Sequence, residues 1–324
     1  MTVNTPPASG PNAGNYAVTE GILELRQQPM LTRVFRGDAY TIRARSVGIA
    51  GSGSTGCVLA LNTTASPAIT VNGNSAVSMS ACSVYSNSNA ANSINTSGGG
   101  SLVANDFFSV GGIDASTTIV GAKHPYDKPI ADPYAGLPIT TINCPATRLP
   151  SVITGPATIL PGAYCNGLKL KSGNITLAAG AYIVVGGAFE VMNNATVDAT
   201  AGVTIITAMY NNCLYSSSMS GGASLNLVAP RTGTYAGVAF YADRNIPTYV
   251  NIDNGFIGQA NMLITGAIYA PTSAVTCAGG DNAIGCTQII AQTVKVTGGS
   301  QIGSNCGGSG TKTIGSIALT ALTD

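Results

Sequence analysis

The stretch Leu168-Lys-Leu-Lys-Ser-Gly-Asn174 decides the fold, because its pattern returns as Phe189-Glu-Val-Met-Asn-Asn194. In both copies apolar side chains alternate with polar ones, and a turn of Asn, Gly or Ser follows. Leu225-Asn-Leu-Val228 and Val294-Lys-Val-Thr-Gly-Gly299 repeat the alternation. A strand and turn that recur about every 20 residues bury their apolar side only by stacking on their neighbours. The sequence therefore predicts stacked strands, with function on a long surface rather than in one deep pocket.

The repeats extend over most of the chain. Ile69-Thr-Val-Asn-Gly-Asn74 and Ile94-Asn-Thr-Ser-Gly-Gly99 carry the same turn residues upstream. Crossovers between parallel strands are overwhelmingly right-handed. The pattern therefore predicts an all-β chain that forms a right-handed parallel β-helix, a solenoid, over residues 51–324. Gly-x-x-apolar blocks place the following side chains in or beside the core: Ile183, Ile205, Phe240 and Tyr269.

Two parts of the chain depart from the repeat. Alternation over residues 17–26 and 40–47 predicts two half-buried strands, with a short helix between them at residues 30–35. We expect residues 1–50 to form a small strand-rich stem that caps the first coil, since an uncovered coil end invites aggregation. Four prolines within residues 123–138 exclude a central strand and predict a proline-rich connecting segment at about 121–143.

The composition excludes several classes of protein. Charged residues make up 8% of the 324 residues and Trp is absent, which is unlike a helical enzyme with a charged coat. The net charge of +1 argues against a nucleic-acid partner, because such partners need basic residues concentrated on one face. The N-terminal arginines between Arg26 and Arg45 are interleaved with Glu20, Glu24 and Asp38, which favours a solvated strand pair.

The eight cysteines indicate disulfides. There is no C-x-x-C pair and only one histidine, so these thiols are not predicted to bind a metal. The preferred pairs are Cys57 with Cys82, Cys144 with Cys165 and Cys286 with Cys306, because each pair is separated by about one repeat and neighbouring strands lie about 4.8 Å apart. Cys213 and Cys277 remain as a fourth pair by elimination, although eight cysteines allow 105 connectivities.

Disulfides predict an oxidising compartment, and thus a periplasmic, surface or secreted protein. Residues 172–189 form the longest uncharged apolar stretch, but their glycines and asparagine are turn residues and no membrane span is predicted. We expect any targeting segment or membrane anchor to lie outside this sequence.

Three motifs resemble ligand sites but are predicted to be turns. Gly51-Ser-Gly-Ser-Thr-Gly56 spells a dinucleotide fingerprint, yet a strand-like segment follows where a helix is needed. Asp114-Ala-Ser-Thr-Thr118 is similar to a metal-adhesion loop but lacks the flanking helix and distant acids. Gly307-Gly-Ser-Gly-Thr311 lacks the Asp of a calcium-binding nonapeptide. We therefore predict no cofactor and no metal.

The nearest approach to a catalytic group is Asp243-Arg244 with Asp253, because β-helical enzymes that cleave polysaccharides use paired carboxylates or a carboxylate beside Arg. Asp127 with Asp132 is a second pair. The favoured interpretations are a loop ion pair for Asp243-Arg244 and turn formation for Asp132. His124 lies alone in the proline-rich segment and is predicted to be a surface histidine. No catalytic residue is therefore predicted.

Several longer stretches resemble TadG-related proteins of the tight-adherence (Tad/Flp) pilus system, in their C-terminal β-helix region. These stretches are Pro161-Gly-Ala-Tyr-Cys-Asn-Gly-Leu-Lys-Leu170, residues 225–240, residues 263–271 and Cys286-Thr-Gln-Ile-Ile-Ala291. Asp132-Pro-Tyr-Ala-Gly-Leu-Pro138 is similar to the same family. The resemblance implies an envelope or extracellular protein tied to assembly or anchoring of an adhesive pilus, ordinarily tethered by an N-terminal membrane helix that this sequence lacks.

These observations lead to one functional expectation. The chain is expected to be a non-enzymatic surface protein whose Thr/Ser/Asn-rich faces contact pilus or envelope proteins, surface glycans or further copies of itself. Neutral polar faces suit such contacts without strong salt dependence. The alternative is a β-helical carbohydrate-active enzyme or glycan-binding protein, with Asp243, Arg244 and Asp253 as its site. The sequence does not identify the receptor.

Overall fold

The computed structural model is all-β, and it divides into two compact units, Met1–Gly53 with Ser316–Asp324, and Ser54–Gly315. The described residues contain no helix, so none of them belongs to a helix that could cross a membrane. The structure describes residues 1–4, 6–10, 13, 18–27, 39–51, 56–73, 76–79, 82–140, 142, 144, 149–209, 216–219, 222–247, 252–257, 262–278, 286–297, 306, 308–315 and 319–322.

The strands are short except where one strand takes part in two sets of pairings. They are β1 (Thr2–Asn4), β2 (Val18–Gln27), β3 (Tyr40–Gly51), β4 (Gly56–Ala60), β5 (Ile69–Asn72), β6 (Ala76–Met79), β7 (Ser83–Ser86), β8 (Ile94–Ser97), β9 (Ser101–Ser109), β10 (Ile119–Pro125), β11 (Val152–Thr154), β12 (Ala157–Ile159), β13 (Gly162–Tyr164), β14 (Leu168–Leu177), β15 (Gly180–Val184), β16 (Phe189–Ala199), β17 (Val203–Thr207), β18 (Ser218–Met219), β19 (Ser224–Val228), β20 (Val238–Ala242), β21 (Asp253–Ile257), β22 (Met262–Ala278), β23 (Thr287–Thr297) and β24 (Leu319–Leu322).

The first unit is an antiparallel four-stranded sheet in the order β1-β2-β3-β24. Strands β2 and β3 correspond to the two strands that alternation predicts. Strand β24 comes from the end of the chain, which the sequence analysis places with the repeats, and it covers the edge of β3 that would otherwise be unpaired. The predicted helix at residues 30–35 lies outside the described residues.

Glu20 ties the start of the chain to this sheet. Its buried carboxylate accepts hydrogen bonds from Asn4 Nδ2 at 2.9 Å, from the Arg45 guanidinium and from the backbone N–H of Ala8. These bonds, the one from Asn4 first, lower the pKa of Glu20 to about 2. Arg43 in turn pairs with Glu24 at 3.4 Å. Glu20 and Glu24 therefore pair with arginines of the same sheet, and Asp38 lies outside the described residues.

All strand pairings in the Ser54–Gly315 unit are parallel among the described residues, and most of them form three continuous ladders. Strand β6 pairs with the first part of β9 outside these ladders. Ladder A has the order β13-β15-β17-β20-β22-β23-β4-β7-β9-β10. Ladder B has the order β11-β14-β16-β18-β21-β22-β23-β5-β8. Ladder C has the order β12-β14-β16-β19-β22.

The ladders do not follow the order of the chain. Strand β23, the last of the repeats, pairs with β4 and β5, which are the first, so that Lys295 lies opposite Thr70. The sequence analysis expects an array that begins near Cys57 and runs in chain order. In the structure, the chain from Gly56 to Pro125 continues the ladders at the end of the strands between Val152 and Thr297.

The middle of ladder A is buried on both sides. Strands β4, β17 and β20 have no exposed residue, as is typical of parallel strands covered on two faces. Alternate side chains, including Ile205 and Phe240, belong to the main hydrophobic core. The intervening side chains are also buried, but on the other side of the sheet and outside that core cluster: Ile206, Tyr241, Tyr269, Ile290, Leu59, Tyr85 and Phe108.

Two segments cover this second side. The first is residues 126–140, here called the connector, and the second is residues 308–315. Strand β10 extends to Pro125, so the connector begins later than the sequence indicates. It contacts ladder A in reverse order, near β9 first and near β20 last. The contacts are Asp127 N to Ser109 O, Ile130 N to Asn87 Oδ1, Tyr269 Oη to Asp132 Oδ2, Tyr241 Oη to Pro138 O and Thr140 N to Asp243 Oδ2.

Three disulfides join Cys57 to Cys82, Cys144 to Cys165 and Cys286 to Cys306, with Cα separations of 5.7, 5.8 and 4.5 Å. These are the three pairs that the repeat spacing predicts. Disulfides of this number indicate an oxidising, extracytoplasmic compartment. Cys277 is buried and has no disulfide partner among the described residues, and Cys213 lies outside them.

The pairing of β23 with β4 predicts how the protein behaves when the connector is cut. A specific protease site is inserted after Lys128, where the chain is exposed. None of the three disulfides joins the two pieces. We expect the cut protein to elute as one species in native size-exclusion chromatography and as two pieces in denaturant without reductant.

A second variant that ends at Gly315 removes β24, so that pairing with β3 no longer holds the pieces together. Separation of its two pieces under native conditions would contradict the ladder order.

Candidate functional site

Asp243 is buried directly after β20, and its side chain holds the end of the connector by a hydrogen bond. Its Oδ2 accepts the backbone N–H of Thr140 at 2.6 Å, and its Oδ1 accepts that of Asn245 at 3.0 Å. Both oxygens are therefore occupied by fixed backbone donors. The carboxylate that the sequence offers as a candidate acid or base fixes the end of the connector.

Arg244 holds the middle of the connector. Its guanidinium donates to the carbonyl oxygens of Ala135 at 2.7 Å and Tyr134 at 3.1 Å, and to Tyr269 Oη at 2.9 Å. The guanidinium carbon also lies 6.0 Å from the centre of the Tyr269 ring. A planar group with several donors suits this task, because it bonds two carbonyls and a hydroxyl at once.

Tyr269 links Arg244 to the connector residue Asp132. Its hydroxyl donates to Asp132 Oδ2 at 2.7 Å. Burial, and then the neighbouring Asp132 carboxylate, raise the pKa of Tyr269 well above its usual value. Burial likewise raises the pKa of Tyr134 to about 12. Both phenols are therefore neutral at physiological pH. Tyr269 donates to Asp132, and Tyr134 Oη accepts the backbone N–H of Lys312 at 3.0 Å.

Asp253 does not join this cluster. It lies at the start of β21, where its Oδ2 accepts a hydrogen bond from Thr276 Oγ1 at 2.8 Å. It shares no contact with Asp243 or Arg244 among the described residues. Asp127 and Asp132 each accept a backbone N–H one or two residues along, in the manner of turn-forming aspartates. The structure thus brings Asp243 and Arg244 to one element but does not create a carboxylate pair there.

His124 is the last ring of an aromatic stack rather than an isolated surface residue. It lies parallel to Phe108, with ring centres 4.5 Å apart, and Phe108 stacks on Tyr85 at 4.9 Å. Its Nε2 lies 3.2 Å from Asp106 Oδ1. Ser83 contacts Asp106 at 3.5 Å. Histidine therefore does not bridge serine and aspartate, as activation of a serine nucleophile requires.

The sequence analysis missed this contact because Asp106 and His124 lie on different strands. Their approach follows from the pairing of β9 with β10, in which His124 is opposite Phe108. The signal available in the sequence was the aromatic pair Phe107-Phe108, which ends 16 residues before the histidine.

The glycine-rich and polar motifs that the sequence predicts to be turns are described in part by the structure. Gly56 begins β4, so a strand follows the glycines, and residues 52–55 lie outside the described residues. Asp114 Oδ1 accepts the Ser116 N–H at 3.0 Å, and Lys123 Nζ donates to the carbonyl of Asp114 at 2.9 Å. Within the described part of the chain, no group of three or more His, Cys, Asp or Glu side chains could hold a metal.

The remaining candidate is a flat surface on ladder C, here called the polar face. Its side chains are exposed or half-buried, and neighbours in a row lie about 4.8 Å apart, with about 6.7 Å between the rows. The groups are hydroxyls and amides, with a single carboxylate. The first row contains Thr158, Thr176, Asp198 and Asn226, and the second contains Asn174, Thr196 and Ser224.

A shallow groove of about 540 Å³ runs beside the polar face. It is formed by the turns that follow β14, β16 and β19. Comparisons of the chain with protein-family models, with curated proteins and with solved structures return no match.

Replacing Arg244 tests whether this cluster is an anchor. Arg244→Met leaves two connector carbonyls and the Tyr269 hydroxyl without a donor, and we expect a loss of about 2–3 kcal/mol in the free energy of unfolding. Loosening of the connector should also speed chymotryptic cleavage after Tyr126, whose side chain is 79% exposed. Urea denaturation and timed proteolysis measure both effects.

Arg231→Met is the matched control, since Arg231 is exposed and its side chain has no hydrogen bond or ion pair among the described residues. Equal stability and equal cleavage of the two variants would rule out the anchoring role.

Proposed function

We propose that the chain is a non-enzymatic, extracytoplasmic protein whose Ser54–Gly315 unit is a right-handed β-helix. In this arrangement ladders A, B and C are three sides of one coil. The support is that β14 and β16 each belong to both ladder B and ladder C, and that β22 belongs to all three. A strand shared between ladders turns the corner from one side of a coil to the next.

The observation that carries the non-enzymatic assignment is the use made of Asp243 and Arg244. Cleavage of a glycosidic bond by acid–base catalysis needs two carboxyl groups flanking an accessible bond. Here the Asp243 oxygens are taken by backbone N–H groups, and Arg244 is taken by the connector. The charged groups nearest to a catalytic arrangement thus hold the protein together.

The polar face is the surface best suited to attachment. Neutral hydroxyls and amides in two rows offer many hydrogen bonds to a partner surface, and they impose little dependence on salt. A regular array of this kind suits a partner that is itself repetitive, such as a subunit assembly or a glycan.

The partner system that we propose is a tight-adherence pilus, in which the chain contributes to assembly, anchoring or adhesion. The resemblance of residues 161–170, 225–240 and 263–271 to TadG-related proteins supports this assignment. The three disulfides fit the oxidising compartment in which such a protein would work.

A variant of the polar face tests the proposal in the native host. Thr176→Arg combined with Thr196→Arg places two long cations in adjacent rows without touching the core. We expect normal amounts of folded protein but about a tenfold loss of adherence or of assembled pili. Cell-attachment counts and pilus yield measure the outcome.

Thr117→Arg combined with Thr313→Arg adds the same charge at exposed positions away from the polar face and should leave attachment unchanged. Two results would overturn the proposal: wild-type attachment by the polar-face variant, or reproducible cleavage of a glycan by the purified protein.

A further inference from the structure

We infer that the groove beside the polar face binds an anionic saccharide, one that carries carboxylate or sulfate groups. The inference rests on the proposed attachment function and names a ligand for the same side of the protein. The groove is lined by Ala179, Gly180, Thr200, Ala201, Gly202, Val228, Ala229, Pro230, Arg231 and Thr232.

The floor of the groove follows from strand register. Because Thr176, Asp198 and Asn226 lie opposite one another, the turns after their strands also lie side by side. Gly202 has a φ of 95°, a left-handed conformation that favours glycine and leaves no side chain in the groove. The floor is therefore mostly backbone and small apolar groups and is open to solvent, and it spans the turns after three neighbouring strands.

The rim supplies hydroxyls in fixed positions. The Thr200 hydroxyl donates to Asp198 Oδ1 at 2.7 Å, and the Thr200 N–H contacts the same oxygen at 3.1 Å. The Thr200 oxygen is thus held in place and keeps lone pairs for a ligand hydroxyl. A hydroxyl-rich ligand matches this rim, as the hydroxyls of a sugar would.

Arg231 sets the charge of the ligand. It is the only charged residue among those that line the groove, and its exposed side chain has no hydrogen bond or ion pair in the described part of the chain. A guanidinium bonds a carboxylate or sulfate through parallel N–H donors. One cation beside hydroxyls favours a sugar acid over a nucleic acid, which needs many phosphate contacts.

An extended peptide is a poorer match. Backbone groups at these turns already bond within the protein, with Ala178 N donating to Ile159 O, Gly180 N to Gly202 O and Ala229 N to Thr265 O. A peptide that adds to a sheet needs such groups to be free. The groove volume of about 540 Å³ lies in the usual range of ligand sites. Because the groove is open to solvent, it can hold part of a longer polymer.

Isothermal titration calorimetry tests the inference, with hexameric oligogalacturonate and a sulfated galactan hexamer as probes and a neutral galactan hexamer as comparison. We expect the wild-type protein to bind at least one acidic probe, more weakly as salt rises, and to bind the neutral one poorly. Arg231→Gln should weaken acidic binding by about ten- to a hundredfold. Ala201→Trp fills the groove at an exposed position and should abolish binding.

Lys295→Gln removes one exposed cation elsewhere and should have no effect, and denaturation midpoints confirm that each variant is folded. The inference is wrong if neither acidic probe binds, if acidic and neutral probes bind equally, or if Arg231→Gln binds as the wild type does. If the saccharide tests fail but the Thr176→Arg/Thr196→Arg variant still loses attachment, only the ligand assignment is wrong. Normal attachment by that variant, with Arg231-dependent saccharide binding, would show that only the proposed function fails.

Discussion

The structure depends on covering the second side of ladder A. Tyr241 and Tyr269 stack there with ring centres 5.3 Å apart, and both are fully buried. Burying each large aromatic side chain contributes on the order of 2 kcal/mol or more, so the uncovered ladder would be a large apolar surface exposed to water. The connector covers this surface. It can do so because β4, the first strand of the repeats, pairs with β23, the last. The chain must then return along the whole ladder to begin β11.

This constraint explains where the charged residues are. Only 8% of the residues are charged. Several of these hold the connector in place: Asp132, Asp243 and Arg244. Each bonds a backbone group or a buried phenol, which fixes a proline-rich segment that makes no ladder of its own. The surfaces left for contact with partners are therefore mostly neutral, and the polar face on ladder C is one of them. Arg231, like Arg26, is exposed and has no hydrogen bond or ion pair in the described part of the chain, but Arg231 also lines the groove.

Local patterns in the sequence predict local structure well. The alternation in Leu168-Lys-Leu-Lys reports burial on one face of a strand, and the spacing of Cys57 and Cys82 reports one repeat, so both predictions agree with the structure. Ile205 and Phe240 lie in the core as predicted. Tyr269 is buried on the opposite side, because a strand covered on both faces has no alternation to show which side chain points where. The contact of Lys295 with Thr70 leaves no local signal, since it joins opposite ends of the repeats. The order of the ladders and the path of the connector both follow from it.

A disulfide engineered between positions 70 and 295 tests the ladder order most directly. Thr70→Cys with Lys295→Cys places two thiols opposite each other on neighbouring parallel strands, within the Cα separation that a disulfide tolerates. Lys169→Cys with Glu190→Cys, a pair on β14 and β16 that the repeat itself predicts, is the positive control. The account predicts that non-reducing peptide mapping recovers a 70–295 crosslink in the folded monomer as efficiently as the 169–190 crosslink. Free thiols at 70 and 295, with the control pair fully joined, would contradict it.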